Sequence, residues 1–493
     1  MTSFINEVQL ITYPDSLGGD LATLDEMLSG PLSGLFGGIH VLPFFPSSGD
    51  RGFSPITYQE VDPQFGNWED IRRLGARFDL IADFMVNHIS RRSPYFQDFA
   101  RHGRQSPYAD MFITLDKVWP SGEPRSEDVK RIFLRRPEHP FADITISDTG
   151  ATERVWATFG GGVGIVGEPE QIDLDVTSPV AKQFIKDTLR HLGEQRIRIV
   201  RLDAVGYVVK KAGTSCFFVE PEIYDVLEEL QTYATSLGIT LLPEVHAHHT
   251  VQASLAAHDY VVYDFVLPLL VLHTLFTHSS SKLQAYLRAC PRDQLTMLDC
   301  HDGIPVQPDL DGILTTSESQ AVVDRLLQRG ANLSRLHAWE KRDGGFDAHQ
   351  VNITYYSALD GDDDAYLAAR AIQLFAPGVP QVYYVGLLAG ENDIEGMAKA
   401  GERRAINRHN YSVPEIEAGV EKPVVQRLFH LIRFRNSHRA FHGTFTMRET
   451  PEDRLTLAWT SDDAACTLDV DLNTHHAQIT HHEPGAPQSS FSL

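Results

Sequence analysis

Eight short apolar runs recur along this chain, and each is followed by a polar loop and then a helical stretch. They are VQLITY (8–13), GGIHVLPFF (37–45), LIADFMVNH (80–88), IRIVRLDAVGY (197–207), ITLLPEVHAHH (239–249), DYVVYDFVLP (259–268), LTMLDCHDG (295–303) and GVPQVYYVG (378–386). The helical stretches between them include SPVAKQFIKDTLRHLGEQ and PEIYDVLEELQTYATSLG. Strands that alternate with helices build βαβ units and a parallel sheet. Eight such units in one chain predict an α/β fold, a (β/α)8 TIM barrel, whose functional residues collect at the C-terminal ends of the strands. Polar residues do collect there: Asp83, Asn87 and His88; Arg201 and Asp203; Glu244 and His246; His301 and Asp302.

Two intervals are too long for plain loops. The spacing predicts a catalytic barrel over 1–87, 179–303 and 361–442, an inserted lobe over 88–178 after the third strand, and a second inserted lobe over 304–360. From about residue 443 the pattern changes to period two, in GTFTMRET, RLTLAWTS and CTLDVDL. A small C-terminal antiparallel β domain over 443–493 is the expectation.

Composition excludes several partners. The chain has 493 residues and a formal net charge of -23. Such a chain is repelled by nucleic acid and by anionic membranes, and no apolar run is long enough to span a bilayer. The start, MTSFINEVQLITYPD, has neither the basic region nor the apolar region of a signal peptide. Cys216, Cys290, Cys300 and Cys466 show no CxxC spacing. Reduced thiols in a cytoplasmic protein are expected. Against this acidic background, a local cluster of basic side chains points to an anionic ligand.

The stretch RIRIVRLDAVGY (196–207) carries Arg201 and Asp203 two positions apart. Strand side chains alternate, so the two share a face. Asp203, Glu244 and Asp302 each sit just past a strand run, on three different strands. Glycosyl transfer with retention needs a carboxylate nucleophile and a second carboxyl group that gives and then takes a proton. A third carboxylate can stabilise the developing oxocarbenium charge.

The blocks ADFMVNH, RLDAV, PEVH and CHDG resemble, in order and spacing, the four signature regions of the alpha-amylase superfamily, glycoside hydrolase family thirteen. Narrower blocks, among them QLITYPDSLGG, HVLPFFPSS, VRLDAVGYVVKKAGTSC and PGVPQVYYVGLLAGENDIE, resemble the sucrose phosphorylase subgroup over roughly residues 7–440. The resemblance implies Asp203 as the nucleophile that forms a β-glucosyl-enzyme. It implies Arg201 as the cation that keeps this carboxylate ionised, Glu244 as general acid/base with a higher pKa, and Asp302 as the transition-state stabiliser. His88, His246 and His301 would bind substrate, with Gln350 on the acceptor side. Asp50 and Arg404 match a pair that closes the glucose pocket, and Phe53 and Phe159 match aromatic positions that line it. No metal and no cofactor is implied. Relatives often dimerise, and a monomer or homodimer is expected.

The same glucosyl-enzyme can be released by water or by inorganic phosphate, so the carboxylates do not report the acceptor. RIFLRRPEHPF (131–141) and GGFDAHQVN (344–352) should form the acceptor side. Plain sucrose phosphorylases usually have proline where Arg135 stands and tyrosine where His349 stands; Arg136 keeps a usual arginine. Arginine offers a fork suited to phosphate oxygens, and histidine can donate as well. The pattern resembles phosphorylases specific for sucrose 6F-phosphate, whose acceptor is fructose 6-phosphate. Alternative substrates are unphosphorylated sucrose, glucosylglycerol and glucosylglycerate. A non-catalytic amylase-like module should lack one or more of the acids, and all three are present. Arg335, Lys341 and Arg342 add charge nearby in sequence.

Other signals carry less. The glycine-rich FGGGVGIVGEPEQ (159–171) has no following phosphate-binding lysine and reads as a loop. His475–His476 and His481–His482 fall in a surface strand pattern. LDGDDDAY (359–366) lacks the spacing of a calcium loop and reads as a charged helix start.

Overall fold

The computed structural model describes residues 5–135, 139–159, 169–335, 347–485 and 487–493. Eight parallel strands form its main sheet: β1 (Gln9–Thr12), β2 (Gly38–Val41), β3 (Asp79–Met85), β4 (Ile199–Asp203), β5 (Thr240–Pro243), β6 (Val262–Asp264), β7 (Gln294–Thr296) and β8 (Val379–Tyr383). Their order is β6-β7-β8-β1-β2-β3-β4-β5, the cyclic order of an eight-stranded barrel. Each lies within one of the eight apolar runs read from the sequence, apart from two that begin one residue early. All seven residues of β3 are buried, as a strand covered on both faces requires.

By contact the chain divides into two compact units. The second is built on Val41–Val245 and contains β3, β4 and β5. Helix α1 (Pro179–Glu194) packs here through Ala181, Ile185, Leu189 and Leu192. Its start is set by Ser178, whose hydroxyl accepts from the Ala181 N–H at 3.1 Å, and by Pro179 at the first position. The residues expected to form an inserted lobe carry an apolar core of their own. A hairpin, Phe141–Thr145 with Thr152–Trp156, contributes Trp156, which stacks on Trp119 at 5.8 Å. A second apolar cluster crosses the expected boundary: Ala181 of α1 packs with Ile89, Phe96 and Phe112, and the insert and its neighbouring strands fall in one unit.

The first unit gathers Met1–His40, His246–Arg335 and Ala348–Leu493. A small antiparallel sheet, in the order Ile304–Pro305, Ala348–Asn352, Asn332–Arg335, occupies the expected second insertion. Helix α2 (Asp363–Phe375) begins at Asp362, whose carboxylate accepts from the Asp364 and Ala365 N–H groups. The acidic run is thus a helix start, with two further acids in the first turn where the helix dipole favours them.

The C-terminal sheet has five antiparallel strands, β9 (Thr444–Met447), β10 (Arg454–Ser461), β11 (Ala464–Asp471), β12 (Ala477–His482) and β13 (Ser489–Ser492), paired in chain order. Leu455, Leu457, Leu468 and Ile479 turn inward. Trp459 donates its indole N–H to the Phe375 carbonyl at 2.8 Å and so ties this sheet to α2.

One buried ion pair supports the segment after β7. Arg370, on α2, is fully buried and donates to both carboxylate oxygens of Asp299 at 2.8 and 2.7 Å. Its remaining N–H groups reach Tyr366 and Gln373. Removing one partner of such a pair leaves a buried charge uncompensated. Arg370→Met should therefore lower unfolding free energy by about 3–5 kcal/mol, read as a drop in the urea midpoint. A loss below about 1 kcal/mol would mean the Asp299 carboxylate has another cation.

Candidate active site

The second unit holds one part of the predicted site. In the parallel register of β3 with β4, Asp83 lies opposite Arg201 and Met85 opposite Asp203. Arg201 is buried, and its Nη1 donates to Asp83 Oδ1 at 2.5 Å and to Asp203 Oδ1 at 2.9 Å. Nη2 lies 3.6 Å from Glu244 Oε1. One guanidinium thus faces three carboxylates. The chain turns sharply after Asp203: Ala204 takes φ +55° and aims its N–H at Glu244 Oε2, 3.1 Å away. Gly206 is required by packing, because a Cβ there would meet the Phe217 ring at 2.7 Å.

Charge balance sets the protonation. Burial pushes the Asp203 carboxyl up, to about 8; Arg201 pulls against this, while Glu244 and Asp83 add to it. The resemblance implies that Arg201 keeps Asp203 ionised; Arg201 does pull the pKa down, while burial and two neighbouring carboxylates push it up. Near neutral pH the free site thus favours a proton on Asp203, while Arg201, in direct contact, lowers the cost of releasing it.

The other residues of this unit frame the carboxylates. The Phe53 ring lies 5.9 Å from the Arg201 guanidinium. The Phe53 carbonyl is bonded to His88 Nε2 at 3.0 Å and accepts from Gln171 at 3.1 Å. His88 packs on Phe159 at 5.3 Å, and burial lowers its pKa despite Asp173 nearby. Asp50 is exposed, in a turn with φ +48°. Arg135 stands 5.9 Å over the Phe159 ring and hydrogen-bonds the Tyr207 hydroxyl. Arg136 lies outside the described residues, as do Lys341, Arg342 and most of the glycine-rich loop.

The first unit holds Asp302 and its surroundings. Arg404 Nη1 is 2.8 Å from Asp302 Oδ1, with Arg408 at 3.8 Å and His301 at 3.9 Å. Burial would raise the Asp302 pKa, but Arg404, His301, Arg408 and His246 outweigh it and hold the carboxyl well below the usual range. Arg408 also fixes the His301 carbonyl at 2.8 Å, and Asn407 bonds the Cys300 and Asp302 carbonyls. Gly303 admits the strand Ala348–Asn352 against this loop, since a Cβ would meet Asn352 Oδ1 at 2.6 Å.

Gln350 is buried on that strand and accepts from Arg404 at 3.2 Å. His349 is a buried strand residue. Its Nδ1 bonds the Gln307 carbonyl at 2.8 Å and therefore carries hydrogen. Its ring lies 5.9 Å from that of His246. His246 stacks on Phe265 at 4.0 Å, with Nδ1 3.5 Å from Asp309.

Sequence reasoning gave no role to Asp83, Tyr207, Asp309 or Arg408. Asp83 stood among the polar strand ends, but periodicity does not say which neighbouring strand it faces.

The alpha-amylase catalytic domain model matches residues 32–261. A sucrose 6(F)-phosphate phosphorylase of Thermoanaerobacterium thermosaccharolyticum is 55% identical over 475 residues, 96% of each chain. The chain belongs to the alpha-amylase family, in its sucrose phosphorylase group. A glucosylglycerol phosphorylase of Marinobacter adhaerens is 43% identical over 477 residues, 97% of this chain and 96% of that one. The crystal structure of a sucrose 6F-phosphate phosphorylase from Thermoanaerobacter thermosaccharolyticum superposes with a TM-score of 0.97 at 53% identity, covering 100% of this chain and 99% of that one.

The raised Asp203 carboxyl has a thermodynamic sign. Unfolded, an aspartic acid ionises near 3.9; folded, Asp203 does so at about 8. The folded state binds the extra proton, so stability is lost as pH rises from about 4 to about 8. Asp203→Asn should be inactive yet melt several degrees higher than the wild-type protein at pH 8, with the gap closing by pH 4. An equal or lower melting temperature at pH 8 would contradict the proton balance drawn here.

Proposed function

We propose that this enzyme phosphorolyses sucrose 6F-phosphate to α-glucose 1-phosphate and fructose 6-phosphate by double displacement. Asp203 attacks the anomeric carbon of the glucosyl unit. Glu244 gives its proton to the departing fructosyl oxygen, and fructose 6-phosphate leaves a β-glucosyl ester on Asp203. Phosphate then attacks the same carbon, Glu244 takes the proton back, and Asp203 is released. Two inversions leave the α configuration.

Asp302, kept ionised by its cations, stabilises the positive charge that develops in each step. Arg201 stabilises Asp203 as the leaving carboxylate in the second step. His88, His301 and Arg404 bind glucosyl hydroxyls, with Phe53 and Phe159 offering aromatic faces to the sugar's C–H surface.

The acceptor assignment rests on Arg135. In this acidic chain a guanidinium stands over Phe159, the ring that packs on His88, and it is tied to Tyr207, four residues past the end of β4. That is where a phosphate monoester on the leaving sugar needs a fork of N–H donors. The 55% identity to a sucrose 6(F)-phosphate phosphorylase supports the same reading. His349 and Arg136 are proposed to share the phosphate. Glucosylglycerol is the second reading, favoured by the 43% identical relative. We place the reaction in the cytoplasm; four cysteines that form no disulfide and a phosphorylated sugar substrate support that setting.

Glucose 1-phosphate release should be much faster from sucrose 6F-phosphate than from sucrose, both sub-saturating and with phosphate present. A preference for sucrose or glucosylglycerol would replace the acceptor assignment and keep the carboxylate chemistry. Loss of a hydrogen bond to a charged group costs about 1.5–3 kcal/mol. Arg135→Ala should thus raise KM for fructose 6-phosphate, in the reverse reaction, by about 10–100-fold and leave KM for fructose nearly unchanged. Equal effects on both would argue against phosphate contact at Arg135.

A further inference from the structure

Lys210 follows the fourth strand in the stretch VVKK, and no step above uses it. Its side chain is almost fully buried, 2% exposed, and so is the Asp173 carboxylate, 2.8 Å from Nζ. Nζ also donates to Asn87 Oδ1 at 3.1 Å and to the Tyr207 carbonyl. A lysine ammonium has three N–H donors and no acceptor. Here all three meet an oxygen, one of them charged. The ammonium stands over the Trp156 ring, with Nζ 5.4 Å from its centre.

The three oxygens come from three segments that are distant in sequence. Asn87 immediately precedes His88. Asp173 is the direct strand partner of His88 in the antiparallel pairing of His88–Ser90 with Gln171–Asp173. Tyr207 sits in the turn after Asp203, packs on Phe159 at 5.1 Å and hydrogen-bonds Arg135 through its hydroxyl. Asp173 is held in turn by Thr158, through its N–H at 2.9 Å and its hydroxyl at 2.5 Å; Thr158 directly precedes Phe159.

We propose that Lys210 is the positioning residue that sets His88, Phe159 and Arg135 relative to one another. It bonds Asn87 beside His88 directly, reaches Phe159 through Asp173 and Thr158 and Arg135 through Tyr207, and touches no reacting atom. This proposal rests on the reading of Arg135 as the acceptor phosphate anchor. A positioning lysine here couples the glucosyl side to the acceptor side: without the ammonium, Tyr207 is free to shift, and the Arg135 fork shifts with it.

The test uses the full chain. Lys210→Met keeps the length of the side chain but strands the Asp173 carboxylate, so the decisive variant is the charge-balanced K210M/D173N. With folding checked by thermal melting, KM for the glucosyl donor should rise about tenfold, and the preference for fructose 6-phosphate over fructose should fall about tenfold. A merely structural role would lower the amount of folded enzyme and leave both ratios unmoved. A folded double variant with wild-type KM and wild-type preference overturns the proposal. If the double variant does not fold, Asn87→Ala deletes one neutral acceptor of the ammonium and should show the same split in milder form; wild-type kinetics there would overturn the proposal equally. A wild-type enzyme indifferent to the acceptor's phosphate would sink the acceptor assignment instead, and KM for the glucosyl donor would remain the readout for Lys210.

Discussion

One guanidinium shared among three carboxylates is the constraint on which the chemistry depends. Arg201 is buried, bonds Asp83 and Asp203, and lies near Glu244. A buried charge is tolerated only when it is paired and hydrogen-bonded. With three acids around one base the pairing is incomplete by design of the cluster, and a proton must make up part of the difference. A nucleophile that is ionised beside an acid that is protonated is what double displacement needs at its start. The same imbalance makes the resting site costly to the fold, the usual relation between activity and stability at a catalytic centre.

Asp302 is in the opposite situation. Two guanidiniums and two imidazoles surround one carboxylate, and its charge is held at any ordinary pH. The two environments separate the roles of chemically similar groups. Negative charge crowds Asp203 and Glu244, whereas positive charge surrounds Asp302 and keeps it an anion. Neither environment is a property of the residue itself. Each is a property of which strands and loops bring arginines to it.

The inserted residues after β3 do more than cover the strands. Their hairpin and their short strand Gln171–Asp173 bring Phe159 and Asp173 to His88. Lys210 joins that arrangement to the turn after Asp203. The buried Arg370–Asp299 pair does a comparable task for the loop that carries His301 and Asp302. In both units a buried ion pair, not apolar packing alone, fixes the segment that bears a functional carboxylate or imidazole. Ion pairs suit that purpose because their geometry is directional, whereas apolar contact is not.

The amino-acid sequence by itself determined the eight strands, because apolar runs of that length alternating with helical stretches have one common solution. It also determined which residue types stand at the strand ends, and the helix start at Asp362. Periodicity placed Arg201 and Asp203 on one face. Only the tertiary structure decided the rest. Asp83 meets Arg201 through strand register, which local pattern does not encode. The Asp203 carboxyl is raised because burial and two more acids outweigh one arginine, a balance set by distances across strands. His349 is buried in a strand and bound to the Gln307 carbonyl, a partner that local pattern does not name. The core of the insert extends into α1, because apolar side chains pack across any boundary that composition suggests. Register, burial and charge balance are sums over neighbours distant in sequence, and folding is what brings those neighbours together.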